Sequence, residues 1–135
     1  MKVLIDTNII LDVLCKRPGF YEDSAKIFKL CEVGKISGVI SALTVPNIIY
    51  ILRKELDAEK TKEILDILFL IFSVADLKAD DLRKAADMKF KDYEDAVQSA
   101  CAARVKADYM ITRNIRDFTE SRVAAIKPAE LLERI

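Results

Sequence analysis

The sequence predicts an α/β domain: a central parallel sheet covered by helices on both faces. Three observations carry that expectation. Short apolar runs alternate with amphipathic helical stretches from one end to the other. The first run, Val3-Leu4-Ile5, shows no polar alternation, as expected for a central strand buried on both sides. Apolar residues make up 52% and charged residues 33%, with 3 Gly and 3 Pro, which is the profile of a helix-rich globular chain rather than a disordered one. Strand–helix alternation of this kind builds parallel sheets through crossover connections. With 135 residues the chain forms one domain, 1–135, able to bury a core without covalent staples.

The elements follow in order. Lys2 to Asp6 reads as the first strand. Asn8 is placed to cap a short helix through Leu14, which Pro18-Gly19 ends. Tyr21 to Val33 carries a stripe of Ala25, Ile27, Phe28, Leu30 and Cys31 and closes at Gly34. Ser37 to Ile40 is a second strand, and Thr44 opens a helix through Leu56 with Pro46 in its first turn. Glu59 to Phe72 is amphipathic, and Ser73-Val74-Ala75 is a brief strand. Asp80 or Asp81 caps a helix to Met88, and Asp92 caps the next, whose apolar positions run from Ala96 to Ala107. Tyr109 to Ile111 is a strand entering the polar loop Thr112–Phe118; Val123 to Ile126 is the last strand, and Pro128 begins a closing helix.

Composition also excludes chemistries. The chain has no histidine, so Ser-His and Cys-His triads, imidazole bases and most zinc enzymes are ruled out. Cys15, Cys31 and Cys101 are odd in number, widely spaced and set in apolar helical patterns, which reads as buried reduced thiols in a cytoplasmic protein. Nothing at the N-terminus resembles a signal peptide, and the longest apolar stretch, Ile64 to Ala75, is too short to cross a bilayer. Formal net charge is zero, so affinity for nucleic acid has to come from local basic clusters. No glycine-rich phosphate loop is present.

Acidic residues gather in three segments. Asp6-Thr7-Asn8 follows a buried strand, Asp92-Tyr-Glu-Asp95 opens a helix of small residues, and Thr112 to Phe118, containing Asp117, follows another buried strand. In an open parallel sheet the strands' carboxyl ends and the N-termini of the following helices share one edge, where ligands bind. Glu94 and Asp95 are therefore expected near Asp6 and Asp117. Carboxylates so close raise one another's pKa unless a cation neutralises them, and a hard divalent ion with oxygen ligands resolves the repulsion. Helix capping by Asp92 and Asp95, and a turn role for Asp117, are the structural alternatives.

These residues resemble the ordered motifs of PIN domains: Val3-Leu-Ile-Asp-Thr-Asn8, Ile40-Ser-Ala-Leu-Thr44, Asp92-Tyr-Glu-Asp-Ala96 and Ile111-Thr-Arg-Asn-Ile-Arg-Asp-Phe118. The resemblance spans essentially the whole chain. It implies a three-layer α/β/α sandwich, a Mg²⁺ or Mn²⁺ site and metal-dependent cleavage of RNA; many members are VapC-type toxins paired with an antitoxin. It matches Asp6 to the first metal-binding acid, Asp95 to the acid opening the late helix, and Thr112 to the polar residue after the fourth strand. Asn47 and Asn114 stand where the commoner pattern has acids, leaving Asp117 the nearest carboxylate to Asn114 and reducing the charge of the site; the asparagine form is similar to a distinct branch of the family. The implied chemistry is phosphodiester hydrolysis, with Asp6, Asp95 and Asp117 or Glu94 holding an ion that activates water. Asn8, Asn47, Thr112 and Asn114 are supporting polar groups.

Arg113 and Arg116 are the strongest phosphate-binding candidates because they share a loop with the acids; Lys16-Arg17 and Arg53-Lys54 read by default as solvated helix ends. Ile64 to Phe72, with Phe69 and Phe72, suits either the core or the seam of a homodimer. A rival to the nuclease is a PIN-fold RNA- or protein-binding module, catalytically weak or inactive, that lost its metal with Asn47 and Asn114. A phosphoryl-transfer protein of response-regulator type lacks its acidic pair and its lysine here.

Overall fold

Val3, Leu4 and Ile5 are fully buried, and the sheet is built outward from them in both directions. The computed structural model describes residues 1–135. The strands are β1 (Lys2–Ile5), β2 (Ser37–Ser41), β3 (Ser73–Ala75), β4 (Tyr109–Ile111) and β5 (Ala125–Ile126). The helices are α1 (Thr7–Leu14), α2 (Tyr21–Glu32), α3 (Thr44–Ile51), α4 (Ala58–Ile71), α5 (Ala79–Ala86), α6 (Tyr93–Arg104) and α7 (Pro128–Glu133). Strand order is β3-β2-β1-β4-β5, and every pairing is parallel. The expected parallel sheet in an α/β sandwich is the architecture found.

The two-residue period of a strand explains the two cores. Val3 and Ile5 point into the larger cluster, with Ile9 of α1, Ile27 and Phe28 of α2, Ile48 of α3, Leu68 of α4 and Leu131 of α7. Leu4 points the other way, to Val39, Cys101, Ala102, Met110 and Phe118. With apolar side chains on both faces, β1 has no polar face to offer solvent, as its sequence indicated.

Several boundaries differ from expectation. Asn8 does not cap α1; Asp6, with extended backbone, is the N-cap residue, its carbonyl accepting from the Ile9 N–H at 3.0 Å. α3 stops at Ile51 rather than Leu56, because the Arg53 guanidinium takes the Tyr50 carbonyl at 2.8 Å and the chain tightens into a 3-10 turn, Arg53–Glu55. α5 starts after Lys78; Asp81 sits in its first turn, accepting from the Lys78 N–H at 3.1 Å and from Arg104 Nε at 2.9 Å, and the helix ends at Ala86 rather than Met88. α6 ends at Arg104, short of Ala107, and Lys106 turns the chain with φ 59 toward β4. The last strand is Ala125–Ile126, shorter than expected. Cys31 and Cys101 are buried free thiols, burial pushing Cys31 up to about 12, but Cys15 is exposed, because it lies just past the last turn of α1. No helix is long and apolar enough to cross a membrane.

Candidate active site

Strand order reverses between β1 and β4: from β1 the chain steps to β2 on one side and later reaches β4 on the other. The crevice beyond the carboxyl ends of β1 and β4 is where open parallel sheets bind ligands. Asp6 and Thr112 occupy those two ends. The Asp6 N–H donates to the Ile111 carbonyl at 3.0 Å, extending the β1–β4 ladder by one bond. Asp6 is nearly enclosed, the residue 5% exposed, and its Oδ2 accepts from the Thr112 hydroxyl at 2.9 Å. Thr112 Oγ1 in turn accepts the Asn114 N–H at 3.1 Å, so the start of the following loop is fixed to the same group.

Above this pair lies a cavity of about 380 Å³, lined by five acids: Asp6, Asp92, Glu94, Asp95 and Asp117. Asp92 is the N-cap residue of α6, accepting the Glu94 N–H at 2.8 Å; Glu94 and Asp95 stand in the helix's first turn, where its dipole favours negative charge. Asp117 comes from the 3-10 turn Ile115–Phe118. Asn8, Asn47 and Asn114 line the same cavity, and no basic side chain does. Thr112 lies below it, buried, as the partner of Asp6.

The charge balance follows from this crowding. Burial raises the Asp6 carboxyl above the usual carboxylate range, although the Thr112 bond and Arg113 pull it back. Asp95 is pushed up to about 7, first by burial and then by Asp6, Asp92, Asp117 and Glu94. No three of the carboxylates stand close enough to ligate one ion directly. The donor set is nonetheless all oxygen and strongly anionic. Mg²⁺ keeps several waters and needs only one or two protein carboxylates, so the residues fit one hydrated hard cation rather than a closed protein cage.

Some participants were not foreseen. Gln98, buried on α6, donates through Nε2 to Thr44 Oγ1 at 3.0 Å and, more weakly, to Thr7 Oγ1 at 3.4 Å, while the two threonine hydroxyls lie 3.1 Å apart. This cluster joins α6 to the starts of α1 and α3 beneath the acids. Asp12 was also missed. Fully buried in α1, it accepts from Arg17 Nη1 at 3.2 Å and Arg113 Nη2 at 3.1 Å. Arg113 Nε lies 3.0 Å from Asp12 Oδ2, an ion-pair distance, but its angle makes no hydrogen bond. The signal available was an acid inside the apolar stripe Ile9-Ile10-Leu11-Asp12-Val13, and a glutamine inside a helix of alanines.

The basic residues divide. Arg113 is tied to Asp12 and lies 4.1 Å over the Phe20 ring, which leaves it less available to a phosphate than its loop position suggested. Arg116 is exposed and forms no ion pair. Arg17 is engaged by Asp12, and Arg53 lies 4.0 Å over the Tyr50 ring.

A family model described as PIN domain matches residues 2–116. Comparison with curated proteins finds no match. Among solved structures, VapBC2 from Rickettsia felis, bound to a promoter DNA fragment, is similar with a TM-score of 0.73 and 18% identity over 94% of this chain and 98% of that one. A toxin–antitoxin complex from Klebsiella pneumoniae gives 0.69 and 22% identity, covering 93% and 97%. VapC20 from Mycobacterium tuberculosis, a sarcin-ricin loop cleaving toxin, gives 0.62 and 12% identity, covering 80% and 86%.

Proposed function

Because the chain belongs to the PIN-domain family, we propose that it is a metal-dependent endoribonuclease and the toxin of a toxin–antitoxin pair. The observation that carries this reading is the cavity at the β1–β4 switch point, where acids from three separated segments meet. Two similar folds support it further, one from a toxin–antitoxin complex and one from an RNA-cleaving toxin.

In this reading Asp6 and Asp95, with Asp117 or Glu94, would hold Mg²⁺ or Mn²⁺, in part through the waters the ion keeps. When bound, the ion supplies positive charge to the phosphate and lowers the pKa of attacking water. The chain's own groups do the rest. Thr112 fixes the Asp6 carboxylate by donating to Oδ2. The Gln98–Thr44–Thr7 cluster holds the helix starts that frame the cavity. Asn8, Asn47 and Asn114 offer neutral amide donors and acceptors that orient water or phosphate without adding charge. Arg116, with Arg113 behind it, places positive charge beside Asp117. An antitoxin protein and a second copy of this chain complete the proposed set of partners.

The test is cleavage of a labelled RNA with and without chelator. Activity is expected to need Mg²⁺ or Mn²⁺, and Asp6→Asn is expected to reduce it by more than the roughly 10–100-fold typical of losing an outer-shell partner. Undiminished cleavage by Asp6→Asn in chelator would overturn the mechanism.

A second reading has its own observation: Asn47 and Asn114 both line the cavity, and the carboxylates form no closed ligand set. On that reading the chain is a weak or inactive nuclease that binds RNA or protein. Mn²⁺ titration of the purified protein separates the two, since an inert site shows no binding that depends on Asp6.

A further inference from the structure

Arg113 sits between two residues of the acid site and yet does not belong to it. On one side the Thr112 hydroxyl donates to Asp6 Oδ2 at 2.9 Å; on the other Asn114 lines the acid cavity, which no basic side chain enters. Carboxylates gathered in this way attract the nearest cation, and Arg113 is within electrostatic reach, since its charge draws the Asp6 carboxyl down. Its guanidinium nevertheless turns the other way, into a second cavity of about 330 Å³ between α1, α2 and the start of α7. Two groups hold it there. Asp12, fully buried, accepts from Nη2 at 3.1 Å on Oδ1, and its Oδ2 stands 3.0 Å from Nε. The Phe20 ring lies 4.1 Å from the guanidinium carbon. Asp12 does not need Arg113 for its own neutrality, because Arg17 also donates to Oδ1, at 3.2 Å.

We propose that Asp12 is a positioning residue that holds Arg113 out of the acid cavity and so leaves the carboxylates there open to a cation. The inference rests on the metal reading of the cavity and adds to it a residue that touches neither ion nor substrate. Stability alone is a poor account of Asp12. A buried ion pair can often be replaced by apolar residues of similar volume without loss, and the neighbours in α1, Ile9, Ile10, Leu11 and Val13, are apolar. What a carboxylate adds over leucine at this position is a fixed place for the charge of Arg113. Released, the guanidinium would form forked pairs with the carboxylates of the cavity, and its charge would oppose a divalent ion directly. Affinity for the ion is then scaled by the fraction of molecules in which Asp12 holds Arg113.

The experiment is calorimetric titration of the purified protein with Mn²⁺, with a urea melt of each variant. Asp12→Asn keeps the volume and removes the charge, and is expected to weaken Mn²⁺ binding at least about tenfold, or roughly 1.4 kcal/mol. Asp12→Asn/Arg113→Gln should return to within about twofold of the parent's affinity while its urea midpoint stays below the parent's. A purely structural role of Asp12 would not produce that recovery. Arg113→Lys and Arg113→Gln make the same comparison with Asp12 intact and still paired with Arg17, so neither requires the fold to tolerate a change at a buried acid. Lysine lacks the planar fork and the stacking surface, which frees its charge. Arg113→Lys should therefore bind Mn²⁺ more weakly than the parent, and Arg113→Gln no more weakly. Parental affinity in folded Asp12→Asn, a double variant as weak as Asp12→Asn, or equal affinities in Arg113→Lys and Arg113→Gln would each overturn the proposal. The crystal structure of Asp12→Asn grown without divalent ions separates this inference from the reading beneath it, with Arg113 expected against Asp6, Asp95 or Asp117. If it lies there and the parent binds no Mn²⁺, the positioning role stands and the metal reading falls. If it stays over Phe20, the positioning role falls, and the metal reading stands or falls on the parent's own titration.

Discussion

Burial, and after it the acids gathered at the same sheet edge, raise the Asp95 carboxyl, and its protonation reports the cost of placing it there. Its carboxyl sits at about 7 in the metal-free fold, against roughly 3.9 in an unfolded chain. The folded state therefore binds this proton more tightly, so the contribution to stability is complete below about pH 4 and is lost as pH rises to about 7. Urea melts in chelator should show that decline, and Asp95→Asn should flatten it; an unchanged pH profile in the variant would assign the decline elsewhere. Partial exposure of Asp95 damps the amplitude through solvent screening. Mn²⁺ reverses the sign, because an ion that binds the carboxylate form displaces the proton and stabilises more as pH rises through 7. The asparagines complement this residue. A charge about 4 Å from a cation contributes roughly 4 kcal/mol at an effective dielectric near 20, before desolvation and repulsion remove much of it. Asn47→Glu and Asn114→Asp are thus expected to tighten Mn²⁺ binding over the parent in one buffer, and folded variants that bind no more tightly would remove these positions from the metal site.

Between elements, two interactions test how the frame is held. Asp12 joins α1 to the loop after β4 through Arg113 and to the turn after α1 through Arg17. Removing one partner of a buried pair costs about 3–5 kcal/mol; both arginines are partly exposed, so Asp12→Ala is expected near the lower end, read as a shift in urea midpoint. Gly38 of β2 is tight for another reason. A Cβ there would lie 2.6 Å from Cys31 Sγ and 2.8 Å from the Phe72 ring, both buried, so Gly38→Ala should cost about 1–3 kcal/mol by overpacking. The elements themselves were largely legible, since hydrophobic period locates β1, β2, α2, α4 and α6 to within a residue or a few. α3 overran because Tyr50 to Leu56 keeps a helical composition, while the bond that ends the helix comes from a side chain reaching back. The grouping of the three acid segments was legible because strand ends and helix starts share an edge in a parallel sheet. Asp12 and Gln98 were not, because a buried polar residue inside a helix acquires its meaning from a partner far away in sequence.

For the whole molecule, charge is segregated although the net charge is zero: acids fill the cavity and free cations stand at its flanks. The apolar surface is segregated too. α4 buries Leu68 but leaves Ile67, Phe69 and Leu70 exposed, Leu70 at 78%, so the helix serves core and surface at once. If the chain pairs with itself across this face, Leu70→Glu should convert a dimer to a monomer in sedimentation velocity without changing the melting of the monomer; an unaltered dimer would place the seam elsewhere. Strand order has a further consequence, in time rather than space. Asp6 meets Thr112 across 106 positions of sequence, and β1 finds its second neighbour only when β4 exists. At roughly 5–20 residues per second, a ribosome needs about 5–20 s to make the intervening chain. During that interval the first strand waits with one edge unpaired, and the acid that opens the sequence faces no hydroxyl. A nascent chain, or a fragment from interrupted translation that ends before Tyr109, lacks Thr112 and Asp117 and so has no assembled centre.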